Sequence, residues 1–283
     1  MRSQLDVGCH INVLVGDLAD TTRLDRALGV IAEAGCRRVV LPPLDPATDP
    51  APLRARFARH GLTPITIAGQ APGAVVTAED PDERAAGARM LREALELTEA
   101  LGGDQMNGVP YGLFGAADAP IPADAVRRSA EEVGRIADAA HSRGIMMTFE
   151  VLNRYETAML NTAAQAMAYV ALSGSEHLAI HLDTFHMAVE EADAREAIAI
   201  ALPRLGYLEL GQSGRGSLGR GAVDVAGLAG HARELGYRGR YGIEAFSRQI
   251  LPAGPADGLR IWREVYADGA ALIDEAMRLL SGE

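Results

Sequence analysis

The feature that most constrains the fold is a pattern that recurs along the chain: a helical stretch ends at or near a glycine, and a short apolar run follows at once. Gly35, Gly61 and Gly144 each stand at such a junction. Glycine just past a helix readily adopts the left-handed conformation that ends the helix and turns the chain. Helices and strands in alternation predict parallel strands joined by right-handed crossovers.

Eight such units can be counted. The apolar runs predict strands over about 5–13, 37–42, 62–68, 103–108, 145–150, 178–183, 205–210 and 239–244. The intervening stretches predict helices over about 21–34, 51–60, 80–101, 122–142, 162–173, 189–200, 223–235 and 258–280. Eight βα units in 283 residues predict an α/β fold, a closed (β/α)8 TIM barrel that forms a single domain over 1–283. An open doubly wound sheet is the alternative, but the turn after the first run lacks its G-x-G-x-x-G glycines.

Charge and composition exclude several classes of protein. The formal net charge is −11 and no run of Lys and Arg stands out, so nucleic acid and anionic membranes are not expected partners. No apolar stretch reaches the length of a membrane span and the N-terminus has no signal-type core, so we predict a cytoplasmic protein. The two cysteines, Cys9 and Cys36, lie in apolar runs and are expected to be buried free thiols.

Four consecutive predicted strands, the fifth to the eighth, each end in a carboxylate. These residues are Glu150, Asp183, Glu209 and Glu244. The carboxyl ends of parallel strands meet at one face of a barrel, so the four carboxylates are expected to converge. Unpaired carboxylates repel one another, and a divalent cation with oxygen ligands, Mn²⁺ or Mg²⁺, would neutralise them. The alternative is that individual acids pair with arginines or cap the helices that follow.

Other polar residues fall close to these strand ends. Glu156 closes the stretch that begins at Glu150, and His186 follows Asp183 by three residues. His181 shares the face of Asp183 on the sixth strand, since side chains two apart on a strand point the same way. His181 and His186 are the only histidines expected near the site.

The loops that follow the predicted strands are longer than those that follow the helices. The long ones are 42–52, 108–122, 211–223 and 245–258. The third is rich in glycine and contains Arg215; it could cradle a phosphate, or its glycines could simply serve its turns. In a TIM barrel these loops all lie on the carboxyl face, where active sites are built.

Three segments resemble one known family. They are Glu150–Glu156 (EVLNRYE), Leu160–Ala164 (LNTAA) and Asp183–Met187 (DTFHM). They are similar to the ketose 3-epimerases, the D-tagatose and D-psicose 3-epimerase group of the xylose isomerase-like TIM-barrel superfamily. The resemblance is clearest over roughly 145–250, and the first hundred residues agree only in their βα pattern. It implies a metal-dependent isomerase that inverts C3 of a ketose.

The resemblance implies a role for each matching acid. Glu150 and Glu244 would bind the metal and act as the acid/base pair, one on each face of the substrate. Asp183 would be a further metal ligand. The expected metal is Mn²⁺, with Mg²⁺ or Co²⁺ as alternatives, and no organic cofactor is implied. The metal would stabilise the enediolate that forms when the C3 proton is removed.

The resemblance also implies how a small-molecule sugar is held. Glu156, His186 and Arg215 would hold the oxygens near C1 to C3. Phe246 would help to wall the pocket, together with Tyr111 or Phe114 from the loop after the fourth strand. Family members are commonly homodimers or homotetramers, and the segments Leu113–Phe114 and Pro42–Leu44 are candidate contacts between subunits.

The seventh strand departs from the family pattern. That pattern is typically His-x-His-x-Gly-Glu-x-Asn-Arg, whereas here the chain reads Tyr207-Leu-Glu209-Leu-Gly-Gln-Ser-Gly-Arg215. Glu209 therefore replaces a ligand histidine. It stands in register with the other strand-end acids and is a competent oxygen ligand, so we expect it to bind the metal. The alternatives are that it weakens the Lewis acidity of the metal, or that the site serves another substrate.

Other functions are open on the same scaffold. An aldose–ketose or hydroxypyruvate-type isomerase would form the same enediolate and return the proton to the neighbouring carbon. A keto-glycoside deglycosidase would use the same deprotonation to expel a group from the adjacent carbon. A nuclease of the endonuclease-IV type is disfavoured by the negative charge and the few histidines. A non-catalytic sugar-binding protein is disfavoured because Glu150 and Glu244 are intact.

Overall fold

The fold is a closed barrel of parallel strands in the computed structural model, which describes residues 5–282. The strands are β1 (Val7–His10), β2 (Arg38–Val40), β3 (Thr63–Ala68), β4 (Gln105–Gly108), β5 (Met146–Val151), β6 (Leu178–Asp183), β7 (Leu205–Leu210) and β8 (Arg240–Ile243). Each strand pairs in parallel with the next, and β8 pairs with β1 to close the sheet. The predicted (β/α)8 TIM barrel is therefore confirmed.

Helices connect the strands. They are α1 (Thr21–Glu33), α2 (Pro50–His60), α3 (Pro81–Leu101), α4 (Ala123–Ser142), α5 (Ala163–Ser173), α6 (Thr184–Glu190), α7 (Ala194–Ala201), α8 (Val225–Glu234), α9 (Ala253–Gly258) and α10 (Gly269–Ser281). Short 3-10 turns follow β1 and α7, at Ile11–Val13 and Leu202–Arg204.

Two predicted helices were wrong in extent. In place of one helix over 189–200 there are two, α6 and α7. Helix α6 begins directly at the end of β6, because the Asp183 side chain accepts a hydrogen bond from the backbone N of Phe185 and caps the helix. In place of one helix over 258–280, α9 and α10 are separated by residues 259–268, where Arg260 has a φ of 59°. The apolar residues of 259–268 have the spacing typical of a helix, but the backbone there is not helical.

The junctions between helices and strands follow the local sequence. Gly35, Gly61 and Gly144 have φ values of 89°, 65° and 73°, so the three glycines adopt the left-handed conformation expected of them. The start of α5 is also set locally: the Thr162 hydroxyl accepts from the backbone N of Gln165, whose side-chain oxygen accepts from the backbone N of Thr162. These signals are local, which is why the βα alternation can be predicted from the sequence.

Gly108, the last residue of β4, occupies a position that suits only glycine. Its φ is 113°, and a Cβ there would overlap the carbonyl oxygen of Ala68 on β3. We expect Gly108→Ala to lower the free energy of unfolding by about 2–4 kcal/mol, because the methyl meets backbone that is held in the sheet. Urea denaturation of this variant beside Gly254→Ala, whose methyl would meet nothing within 4 Å, measures the difference. Equal stabilities for the two variants would contradict it.

The amino end of the barrel is closed by an ion-pair network. Arg38 Nε donates to Asp6 Oδ1 at 2.8 Å, and Arg240 Nη2 donates to Asp104 Oδ2 at 2.9 Å. Arg38 also pairs with Asp104, and Arg240 Nη1 donates to Gln105 Oε1 at 2.7 Å. The strand-end acids predicted from the sequence lie at the opposite end of the barrel.

The apolar core lies mainly between the sheet and the helices, with a smaller cluster inside the barrel. That inner cluster contains Val40, Ile65 and Tyr207. Cys9 and Cys36 are buried free thiols, as expected. Across the described part of the chain, no helix combines the length and the apolar character needed to cross a membrane.

Candidate active site

Four carboxylates stand at the carboxyl ends of neighbouring strands. Glu150 is on β5, Asp183 ends β6, Glu209 is on β7 and Glu244 directly follows β8. Strand pairing places Asp183 beside Glu209 and Glu150 beside His181. Asp183, Glu209 and Glu244 are buried, whereas the side chain of Glu150 is 16% exposed. The barrel therefore brings together the four acids identified in the sequence.

Donor atoms of these acids and of nearby histidines form three overlapping groups. They are His10–Glu209–Glu244, Glu150–His181–Glu209 and Glu150–Asp183–His186, and within each group the donor atoms lie within 4.8 Å of one another. Glu150 and Glu209 each belong to two groups, so the three form one continuous cluster. Buried carboxylates in excess, with imidazole nitrogens beside them, suit a divalent cation. The residues present therefore fit the predicted metal.

Arg215 supplies positive charge to this cluster. Its Nη1 donates to Asp183 Oδ2 at 3.1 Å and also to Glu244 Oε2. The guanidinium lies 3.7 Å from the centre of the Phe185 ring, a stacking contact that holds it in place. Both alternatives raised for the strand-end acids, arginine pairing and helix capping, thus apply to Asp183. Asp183 nevertheless stays in the cluster, because Arg215 bridges Asp183 to Glu244.

Glu209 lies between two imidazole rings. His10 Nε2 is 2.9 Å from Glu209 Oε1, and His181 Nε2 is 3.1 Å from Glu209 Oε2. The His181 contact lacks hydrogen-bond geometry, and its ring nitrogens are buried without a hydrogen-bond partner among residues 5–282. Burial alone would raise the pKa of Glu209, but the two imidazoles outweigh burial and hold that pKa well below its usual range. Glu209 is therefore an anion held by its neighbours.

The remaining acids are easier to protonate than usual. Burial, only partly offset by Arg215, raises the pKa of Asp183 and of Glu244 to about 7. Burial is also the main cause that raises the pKa of Glu150. Carboxyl groups that titrate near neutrality can both accept and return a proton under ordinary conditions. Burial also makes it costly in free energy to ionise all of these carboxyl groups without a cation. A cation that binds them would therefore displace protons.

This cluster makes the stability of the metal-free protein depend on pH. Burial tends to lower the pKa of His10 and of His181, but the surrounding carboxylates outweigh it and raise both from 6.5 to about 9. A raised imidazole pKa stabilises the fold fully below pH 6.5, and this contribution is lost as the pH rises toward 9. We therefore expect the free energy of unfolding to fall between pH 7 and 9, by up to about 1.4 kcal/mol per pH unit for each imidazole.

The measurement is urea denaturation of chelator-treated protein at several values between pH 7 and 9. A His181→Gln variant is the control, because it removes one of the two imidazoles and should flatten the slope. Stability that stays constant or rises over this range in the unmodified protein would contradict the expectation.

His186 presents a neutral N–H to the cluster. Its Nδ1 accepts from the backbone N of Asn153 at 3.1 Å, so the neutral ring carries its proton on Nε2. Nε2 lies 3.4 Å from Glu150 Oε1 and 3.6 Å from Asp183 Oδ2. Burial lowers the pKa of His186 to about 4, which keeps the ring neutral. Asn153 Nδ2 also donates to Glu156 Oε1 at 3.1 Å, so Asn153 orients both side chains.

A cavity of about 620 Å³ opens above the acid cluster. Glu156, Arg215 and Phe246, all identified in the sequence, line it. So do Phe114, Asn153, Tyr155, Phe185 and the segment 258–263. The four strand-end acids lie below this lining, with Arg215 at the boundary between the two. The arrangement is a deep polar floor under a partly aromatic chamber, which suits a polar ligand that presents one end to the acids.

Tyr111 does not line this cavity, contrary to one of the two alternatives drawn from the sequence. It is fully buried, its hydroxyl donates to the backbone O of Glu150 at 2.9 Å, and its ring packs edge-on against Phe149 and Tyr169. Tyr111 therefore supports the backbone of Glu150 from the core. Phe114, three residues along the same loop and 47% exposed, contacts the cavity instead.

The glycine-rich loop after β7 is organised by Gln212. Its Oε1 accepts from the backbone N of Ser213 at 2.8 Å and of Val223 at 2.9 Å, and its Nε2 donates to Leu218 O at 3.0 Å. The backbone amides of Ser213 and Val223 are thus engaged within the loop. The loop instead presents Arg215, whose φ of 56° directs it toward the acids.

Sequence reasoning missed several residues at the site: His10 and Asn153 beside the acids, and Tyr155, Phe185 and the segment 258–263 in the cavity lining. His10 belongs to the acid cluster, although only His181 and His186 were expected near it. A signal was available, because His10 is a polar residue at the last position of an apolar strand, as the acids are on later strands. Asn153 carries no comparable signal, since its role depends on a loop conformation that brings it to His186.

Comparisons with known proteins agree with this geometry. The Xylose isomerase-like TIM barrel family matches residues 23–276. A ketose 3-epimerase of Arthrobacter globiformis is 35% identical over 269 residues, 95% of this chain and 93% of the relative. An L-ribulose 3-epimerase of Mesorhizobium japonicum is 34% identical over 95% of this chain and 91% of its own length. A crystal structure of D-allulose 3-epimerase from Methylomonas sp., in complex with D-allulose, superposes with a TM-score of 0.92 at 31% identity, covering 99% of this chain and 97% of the other.

Proposed function

This chain belongs to the xylose isomerase-like TIM-barrel family and, within it, to the ketose 3-epimerases, and from that premise we propose that it inverts the configuration at C3 of a ketose. It is an enzyme of the isomerase class. The observation that carries the proposal is the placement of Glu150 and Glu244. They stand at the ends of β5 and β8, on two sides of the barrel mouth, with Asp183 and Glu209 between them.

Inversion of a carbon centre needs a proton acceptor on one face and a proton donor on the other. Glu150 and Glu244 are proposed as this acid/base pair, one removing the C3 proton and the other returning a proton to the opposite face. In the metal-free protein, burial raises the pKa of Glu244 to about 7 and also raises the pKa of Glu150, so the barrel itself does not lock either carboxyl group in the ionised form.

A proton alpha to a ketone is too weakly acidic for a carboxylate alone. Glu150, Asp183, Glu209 and Glu244 would hold a divalent cation, which when bound would polarise the carbonyl and stabilise the negative charge on the substrate oxygens. Mn²⁺ is the metal we expect, with Mg²⁺ or Co²⁺ as alternatives, and the proposal needs no organic cofactor. The overlapping donor groups support this assignment.

Polar side chains around the acids are proposed to hold the sugar. The guanidinium of Arg215 lines the cavity, and the Nε2–H of His186 lies beside Glu150 and Asp183; both are donors suited to the oxygens near C1 to C3. Glu156, oriented by Asn153, is an acceptor for a hydroxyl. Phe246 and Phe114 would wall the cavity against the carbon skeleton.

The substrate is proposed to be a free ketose. Relatives of the chain are named for L-ribulose and D-psicose, and one solved neighbour is in complex with D-allulose. The test is to incubate Mn²⁺-loaded protein with L-ribulose, D-psicose, D-tagatose and D-fructose and to identify the products chromatographically. The C3 epimer is the expected product. An aldose as the main product, or no conversion of any ketose by metal-loaded protein, would overturn the proposal.

A homodimer or homotetramer is also proposed. Leu113, Phe114, Tyr155 and Trp262 are exposed large side chains, and the last three line the cavity, so a second subunit there would cover apolar surface beside the site. Leu44, the other candidate from the sequence, packs partly against the core. Light scattering during gel filtration tests the assembly, with Trp262→Glu expected to give a smaller species. The cytoplasmic location stays a prediction from the sequence.

A further inference from the structure

His10 has no role in the proposed chemistry, yet its ring lies inside the acid cluster. It is the last residue of β1, directly beside β8, so it enters the site from the strand next to Glu244. Its Nε2 is 2.9 Å from Glu209 Oε1 and 3.7 Å from Glu244 Oε1. The ring is buried, so these carboxylate oxygens, rather than solvent, form its polar surroundings.

These separations suit neighbouring ligands of one cation. Mg²⁺-sized ions bind ligands at about 2.0–2.1 Å with near-octahedral geometry, which places adjacent donor atoms roughly 3 Å apart. The 2.9 Å from His10 Nε2 to Glu209 Oε1 matches that spacing, the 3.7 Å to Glu244 Oε1 is somewhat longer, and the three donor atoms lie within one 4.8 Å group. The imidazole therefore occupies the position of a donor rather than of a distant support.

His181 also contacts Glu209, but it lies deeper in the barrel. Its ring packs edge-on against Tyr207 at 4.9 Å between ring centres, and Tyr207 belongs to the inner apolar cluster with Val40 and Ile65. The His10 ring packs edge-on against Phe246 at 6.3 Å, and Phe246 lines the cavity. His10 is thus on the side from which a substrate arrives, where a catalytic metal has to be.

We propose that His10 is a nitrogen ligand of the divalent metal, beside Glu209 and Glu244. This inference rests on the metal dependence of the proposed function. The ligand set would then combine carboxylates with one neutral imidazole. Such a set carries less negative charge per donor atom than carboxylates alone. Imidazole nitrogen favours transition metals over Mg²⁺, so His10 would bias the site toward Co²⁺ or Mn²⁺.

Pulsed electron paramagnetic resonance of Mn²⁺-loaded protein tests the assignment directly, because a coordinated nitrogen modulates the Mn²⁺ echo. The unmodified protein should show this ¹⁴N coupling, and His10→Gln should lose it. Glutamine keeps an N–H donor toward Glu209 but removes the imidazole, so it separates ligation from simple support. His181→Gln is the matched control and should keep the coupling. Thermal unfolding of both variants verifies that they fold.

The affinity for metal gives a second readout. His10→Gln should weaken the binding of Mn²⁺ by roughly tenfold or more, and the loss should be smaller for Mg²⁺. Absence of ¹⁴N coupling in the unmodified protein, or its persistence in His10→Gln, would overturn the inference. Protein that shows the coupling but epimerises no ketose would support His10 as a ligand and overturn the proposed function, so the two failures are distinguishable.

Discussion

Replacing either Glu150 or Glu244 with glutamine should lower kcat for C3 epimerisation by roughly 10³-fold, within the 10²–10⁴ range of general acid–base catalysis. Glu150 lies on β5 and Glu244 directly follows β8, and each is the proposed proton-transfer group for one face of the substrate. Glutamine keeps the size and can still offer an oxygen ligand, but it cannot take up or release a proton. Both variants should fail in both directions of the reaction, because an epimerisation in reverse exchanges the roles of the two groups.

Initial rates with L-ribulose or D-psicose, measured at saturating Mn²⁺, give the comparison. Tyr111→Phe is the control, since the Tyr111 hydroxyl donates only to the backbone O of Glu150 and is fully buried. Its kcat should change far less than that of the glutamate variants. If Glu150→Gln or Glu244→Gln kept more than about a tenth of the normal kcat while folded and metal-loaded, the acid/base assignment would be wrong.

Removal of divalent metal should abolish turnover. Stabilisation of the charge that develops on the substrate oxygens is worth several kcal/mol, which corresponds to at least roughly 10²-fold in rate. Without the metal, the counter-charges of Glu150, Asp183, Glu209 and Glu244 would be Arg215 and the imidazoles of His10 and His181. Arg215 would then be drawn toward Asp183 and Glu244 and away from the substrate.

The measurement is activity after dialysis against a chelator, with the metal content determined by mass spectrometry. Addition of Mn²⁺ should restore activity, and parallel additions of Mg²⁺ and Co²⁺ rank the alternatives. Asp183→Asn serves as a matched variant, because it removes one ligand charge without changing size and should require more metal for half-maximal activity. Full turnover by protein that contains no detectable divalent metal would show that the cluster has another purpose.

Much of the barrel follows from local sequence. A left-handed glycine such as Gly61 ends a helix whatever lies around it, and apolar runs such as Leu178–Asp183 are long enough to identify a strand. The strand-end acids are also predictable, because the fold guarantees that the ends of parallel strands meet. Glu150, Asp183, Glu209 and Glu244 therefore converge as a consequence of topology alone.

What could not be predicted depends on contacts between distant segments. Tyr111 lies in a loop expected to face the site, but its ring packs against Phe149 and Tyr169 in the core. His10 comes from β1, nearly 200 residues from Glu209, and only closure of the barrel brings the two within 2.9 Å. The segment 259–268 has a helical apolar spacing, yet Arg260 adopts a left-handed φ that sequence patterns do not reveal.

The most direct test of two-carboxylate C3 inversion is the site of isotope exchange. Mn²⁺-loaded protein is incubated with L-ribulose or D-psicose in deuterated water, and NMR locates the deuterium in substrate and product. Proton removal by Glu150 or Glu244 and return by the other predicts deuterium at C3 of the inverted product and none elsewhere. Deuterium at C1 or C2 would indicate an isomerase, and no exchange in any ketose by metal-loaded protein would contradict C3 epimerisation altogether.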